Sequence, residues 1–198
     1  DYTQWRYRRS LWLNTKATGA NVAGTESNFP VLVRLNSGNF DGFASTNAGG
    51  TDIRFSDSLG THLAYEIENW EDGAGNNDSA AIWVLAPSIP GNDSTQIFMY
   101  WGNSSAADSS DANAVFDAAN GFMCVWHLDE TPADGELFYD ATANNLNLTA
   151  QSFDDSGDGT ATTDASCVID GGVRVDGHNA SMSRGDVRPQ NDMTLSMW

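Results

Sequence analysis

Hydrophobic and polar positions alternate along this chain with a period of two, in short runs broken by Gly, Asn, Asp and Ser. The clearest runs are WRYRRSLWL (5–13), FPVLVRL (29–35), TDIRFS (51–56), HLAYEIENW (62–70), AAIWVLA (80–86) and TQIFMYW (95–101). Later come FMCVWHL (122–128), GVRVDG (172–177) and MTLSMW (193–198). Successive side chains of a strand point to opposite faces, so runs of this kind predict strands, and no long stretch repeats at the helical spacing. In HLAYEIENW, Leu63, Tyr65 and Ile67 share one face while Glu66 and Glu68 share the other. That is the pattern of a strand with one face on a core and one in water. In TQIFMYW both faces are apolar, Ile97, Met99 and Trp101 against Phe98 and Tyr100, which predicts a central strand. Many short strands bounded by turns predict an all-β fold built of antiparallel β-sandwich or jelly-roll modules.

The stretch GNSSAADSSDANAVFDAANG (102–121) interrupts the pattern and holds no basic residue. It predicts a first module over 1–104, a junction over 105–121 with a short helical turn near 112–119, and a second module over 122–198. Charge divides the same way: residues 1–103 carry 11 acids and 6 bases, residues 104–198 carry 16 acids and 3 bases. A second polar stretch, roughly 129–166, is of the length that loops reach when they are functional or held by an ion.

Composition narrows the partners. Of 198 residues 40 % are hydrophobic, enough for a core, and no run approaches the ~18–20 apolar residues of a membrane span. With 27 acidic and 9 basic residues the formal net charge is −18. Phosphate backbones and anionic membrane surfaces call for clustered Lys and Arg, so neither nucleic acid nor such a surface is an expected partner. Carboxylates in this number suit divalent cations and a saline exterior. Asp1 reads as a mature terminus after export, which predicts a secreted or cell-surface protein, and the strand pattern at Trp198 reads as a chain that continues.

In order along the chain, WRYRR, NFPVLVRL, GGTDIRFSDSLGTHLAYEIENWE, AAIWVLAPSIP and TQIFMYWGN resemble the domain-of-unknown-function family 2341, over residues 2–104 or so. The resemblance implies a large envelope protein, in some cases alongside MotA/TolQ/ExbB proton-channel components. The segments VWHLDE (125–130), YDATANN (139–145), GGVRVDG (171–177) and LSMW (195–198) are similar to the start of a concanavalin A-like, laminin-G-type module. That second resemblance implies a jelly roll, here in its N-terminal part only, with a structural calcium near its turns.

Several side chains are candidates for chemistry. Cys124 and Cys167 predict a disulfide in an exported protein, the alternative being two buried free thiols. Asp154, Ser156 and Asp158, before Gly159, match the first half of a calcium loop in which alternate oxygens converge on one cation. The bidentate Glu that would close such a loop is absent, position twelve being Ala165. Asp129, Asp140 and Asp176 sit at predicted strand ends, where Asp serves either calcium or the turn itself. Glu66, Glu68 and Glu71 in YEIENWE resemble the carboxylate signature of laminarinase-type glycoside hydrolases, provided that a bulge brings Glu71 round to the face of Glu66. Most Trp lie in apolar runs and read as core, while Trp70, in ENWEDG, is the candidate for an exposed sugar-stacking face. Arg6 and Arg8 share one strand face and are expected to pair with acids of their sheet.

The function expected from these readings is non-catalytic recognition or adhesion at the cell surface, with a glycan or protein ligand, calcium as the one cofactor, and rigid sheets presenting loops. Two other readings remain open: a structural subunit or spacer in an envelope assembly linked to a proton-channel motor, and a polysaccharide hydrolase using Glu66 and Glu71.

Overall fold

The computed structural model describes residues 2–73, 78–152, 161–163, 169, 171–175 and 181–184. The chain divides into two compact units, Asp1–Val115 and Phe116–Trp198, and the division falls inside the polar 105–121 stretch.

Seven strands build the first unit: β1 (Tyr7–Asn14), β2 (Glu26–Asn36), β3 (Arg54–Asp57), β4 (His62–Leu63), β5 (Tyr65–Glu71), β6 (Ser79–Ile89) and β7 (Ser94–Trp101). They form two antiparallel sheets, a four-stranded one in the order β1-β7-β3-β4 and a three-stranded one in the order β2-β6-β5. One core lies between them, drawn from both sheets: Phe55 (β3), Tyr65 (β5), Ile82 and Val84 (β6), and Ile97 and Met99 (β7) are all buried. The all-β sandwich follows from the alternation, because each inward residue is apolar and each sheet has one face to hide. β7 is central in its sheet, flanked by β1 and β3, as its two apolar faces predict.

HLAYEIENW is not one strand. It leaves the four-stranded sheet after Leu63 and enters the three-stranded sheet at Tyr65, bending at Ala64, whose carbonyl accepts from Leu85 N at 2.9 Å. The bend closes one flank of the sandwich with continuous chain. β1 and β2 are therefore the edge strands of the opposite flank.

The free edge of β5 is covered by the segment that follows β7. Ile67 N donates to Ser110 Oγ at 2.8 Å, and Asp111 N donates to Tyr65 O at 2.8 Å. A one-turn helix, α1 (Ala112–Val115), then buries Val115. Part of the polar stretch read as a junction is thus fastened to the first unit, because its hydroxyl and backbone groups satisfy an edge that apolar residues could not.

The second unit holds β8 (Leu137–Phe138), β9 (Leu148–Gln151), β10 (Ala161–Thr163), β11 (Val173–Val175) and β12 (Ser181–Ser183), in a three-stranded sheet β12-β9-β8 and a β10-β11 pair. Its small core centres on Phe138 and Ala150, with Leu128, Leu148, Val173 and Met182 against them. FMCVWHL forms no regular strand. A single antiparallel bridge joins Trp126 to Asp140 there, and the Trp126 indole donates to Leu146 O at 2.9 Å. The rest of its described backbone bonding is irregular: Ala141 N donates to Val125 O, Val125 N to the Asp140 carboxylate and the Asn144 amide to Met123 O. MTLSMW lies outside the described residues.

Candidate functional site

β1 alternates without a break: Tyr7, Arg9, Leu11 and Leu13 turn inward and are half-buried, while Arg8, Ser10, Trp12 and Asn14 turn outward. Arg9 accordingly reaches under the sheet. It pairs with Asp41 at 2.9 Å and lies over the Phe40 and Trp101 rings. Arg8 instead lies over the Phe98 ring, 4.6 Å from its centroid, and Arg6 over Tyr7 at 5.2 Å. The acids expected opposite them are not there: among the described residues the ion pairs are Arg9–Asp41 and Lys16–Asp93.

The outer face of the four-stranded sheet is consequently aromatic and basic in an acidic protein. Trp12 is 62 % exposed. Diagonally across the pairing lie Phe98 and Tyr100, since Ser10 faces Phe98 and Arg8 faces Tyr100. Tyr2 stacks on Tyr100 with centroids 4.3 Å apart, and its hydroxyl bonds Phe55 O at 3.1 Å and His62 Nδ1 at 2.7 Å. Trp5 packs edge-on against Tyr2, and its indole donates to Asp52 O at 2.6 Å. An open groove runs between Tyr2, Thr3, Arg8 and Tyr100 and the β3–β4 turn at Leu59 and Gly60. Leu59 stands at that turn 89 % exposed, and Asp57 holds the turn by accepting from Leu59 N and Thr61 N.

Beneath this face are two buried charges. The Asp52 carboxylate, fully buried, accepts from Asn47 N at 2.7 Å, Gly102 N at 2.7 Å and Asn103 N at 2.9 Å. It ties the loop before β3 to the end of β7. Arg54 donates to Thr51 O, Ile53 O, Ala107 O and the Tyr65 hydroxyl, and lies 5.4 Å from the Trp5 ring. Burial pushes the Tyr65 phenol up to about 12, against the downward pull of the Arg54 guanidinium. The Asp52 charge is spent on backbone N–H groups and that of Arg54 on backbone carbonyls and the Tyr65 hydroxyl, so both hold the fold.

The sequence candidates fall as follows. Trp70 is not an exposed platform. Its ring packs on Phe43, centroids 5.2 Å apart, and on Gly50, where a Cβ would come within 2.5 Å of the indole. Its Nε1 donates to Asp72 Oδ2, which also takes Gly49 N. The cause is a bulge in β5. Ile67 faces Ile82 but Asn69 faces Ala81, so the register slips at Glu68 and the next inward position is Trp70, opposite Ala80.

The same bulge does bring Glu71 to the face of Glu66, which stand opposite Ser79 and Trp83 respectively. Those partners are four steps apart along β6, so the Cα atoms of Glu66 and Glu71 lie about 13 Å apart at ~3.3 Å per residue. Glu66 is buried rather than solvated, and Glu68 accepts from the Trp83 indole.

Asp140 serves its turn. Val125 N and Thr142 N donate to Oδ1, Thr142 Oγ1 and Leu146 N to Oδ2, all within 2.8–3.0 Å. Four donors aimed at one carboxylate exclude a cation from it, so the calcium reading of Asp140 is corrected. Asp129 is exposed, and Asp154, Ser156, Asp158 and Asp176 lie outside the described residues. No three His, Cys, Asp or Glu side chains among the described residues converge on a metal position. Cys124 is a half-buried free thiol, so the disulfide expected of it is not seen, and burial, helped by the Asp140 carboxylate, pushes its thiol up; Cys167 lies outside the described residues.

With this geometry in view, comparison with known proteins bears on part of the chain. Residues 49–130 match the family described as a domain of unknown function, DUF2341. The match runs from the loop before β3, through β3–β7, to Glu130. It thus takes in the buried Asp52–Arg54 framework and crosses the division between the units. Neither the search of curated proteins nor that of solved structures found a match.

Proposed function

We propose that the first unit is a non-catalytic recognition module that binds a glycan on the outer face of its four-stranded sheet. One observation carries this reading: an exposed Trp12, with Phe98 and Arg8 beside it, forms an aromatic and cationic strip on an otherwise acidic chain. Aromatic faces stack on sugar rings, and a guanidinium laid over an aromatic ring keeps its donors for ligand oxygens. A rigid antiparallel sheet holds these groups at fixed spacing, which lowers the ordering cost of binding. The setting we propose, on the family resemblance, is the surface of a prokaryotic envelope protein, with the second unit opening a concanavalin A-like jelly roll.

The test is isothermal titration of the full chain with neutral and uronic-acid oligosaccharides, beside a reducing-end assay. Binding without release of reducing ends, lost in Trp12→Ala, is the expected result. Binding unchanged in Trp12→Ala, or no binding to either class, overturns the reading. Reducing ends released by the wild type and abolished by Glu66→Gln would instead establish the hydrolase.

A further inference from the structure

Two of the four sheet edges in the first unit are closed against pairing, and a third is interrupted. β4 is two residues long and runs directly into β5. β5 is bonded by Ser110 and Asp111. β2 carries Pro30, which has no N–H, and Asn28 at φ +50, where its ladder with β6 is interrupted. These are ordinary ways of blunting an edge.

β1 has none of them. It is eight residues long, without Pro, Gly or bulge, and pairs with β7 over its whole length. Thr15 N continues the ladder by donating to Asp93 O at 2.9 Å. Hydrogen-bonded and open positions alternate in an antiparallel pair, so Arg8, Ser10 and Trp12 turn their N–H and C=O groups to the free flank. None of the described backbone bonds outside the ladders ends on these three residues. Their side chains lie on the outer face beside that flank. Arg6 and Arg8 have no acid within ion-pairing distance among the described residues, in a chain with 27 acids.

We infer that the free edge of β1 is a strand-addition site for an extended acidic segment of a partner protein. The segment pairs antiparallel with β1, as β7 does on the other side. It sets carboxylates beside Arg8 and Arg6 and an apolar side chain beside Trp12. Backbone bonds to Arg8, Ser10 and Trp12 supply affinity, and the alternate side chains supply selectivity. Charge selects the occupant: a second copy of β1 would add a further Arg6 and Arg8 to the seam and no carboxylate, whereas an acidic strand neutralises them. The inference uses Arg8 and Trp12, but it does not depend on the glycan reading.

The experiment uses the full chain and two fluorescein-labelled synthetic peptides. In one, Val, Thr, Glu and Glu occupy successive alternate positions; in the other, Lys replaces both Glu. Anisotropy should show the Glu peptide binding, more weakly as salt rises, with slowed amide exchange at Arg8, Ser10 and Trp12. The Lys peptide should not bind. Ser10→Pro removes an outward N–H without touching the ladder to β7, and should weaken the Glu peptide at least tenfold while leaving oligosaccharide binding intact. Arg8→Glu should reverse the preference between the peptides. Equal binding of both peptides, no binding of the Glu peptide, protection at another edge, or a dimer protected at β1 without peptide would each overturn the proposal.

Discussion

At the scale of single residues, the two tryptophans whose roles are exchanged are the most instructive. Trp12 sits in an apolar-looking run and reads as core, yet its position has the parity of Arg6, Arg8, Ser10 and Asn14. The alternation itself carried the signal that it faces out. Trp70 reads as exposed because polar residues surround it, and no local feature announces the bulge that turns it inward. Trp70→Ala should cost about 3–5 kcal/mol, since it empties a packed site against Phe43 and Gly50, whereas Trp12→Ala should stay within about 0.5 kcal/mol of wild type. Urea unfolding of both variants checks the contrast. Tyr65 supplies a pH test. Its phenol, held up to about 12 in the fold, keeps its proton where an unfolded tyrosine with the ordinary value of 10.0 loses it. The unfolded state therefore binds fewer protons across that window, and stability is complete below pH 10 and falls as pH rises toward about 12. Absorbance at the tyrosinate band should show a tyrosine titrating near 12 that vanishes in Tyr65→Phe, while Tyr2, also pushed up by burial, remains.

At the scale of elements, strand positions followed from the period-two pattern, and the central place of β7 followed from its two apolar faces. Which sheet a strand joins did not. HLAYEIENW keeps one alternation across Ala64 while its backbone changes partners from β3 to β6, and nothing in the residues records the exchange. The bulge at Glu68 is the other hidden feature. Deleting Glu68 should remove the extra residue and leave simple alternation, with Trp70 still opposite Ala80 and Asn69 still on the outer face. The expected outcome is tryptophan emission of the folded state that does not shift. A red shift would mean that the register slips beyond the deletion instead of closing at it.

At the scale of the whole molecule, the calcium reading rests on the second unit. If the cation binds through Asp154, Ser156 and Asp158, calcium raises the thermal midpoint over chelator by ligand linkage, and Asp158→Asn removes that rise while Asp140→Asn does not, because the oxygens of Asp140 are already taken by four donors. A scan with calcium and with chelator decides it. What the sequence by itself determined is the class of fold and its division by composition: period-two burial admits only sheets, and the acidic, Ser- and Asn-rich stretch cannot be core. The tertiary structure alone decided how the strands combine. The inward turn of Trp70, the unneutralised Arg8 and the open edge of β1 all depend on which strands become neighbours and where the register slips. Those choices are made by contacts between residues far apart in the chain, such as Ile67 with Ser110 and Arg8 with Phe98, and local pattern holds no record of them.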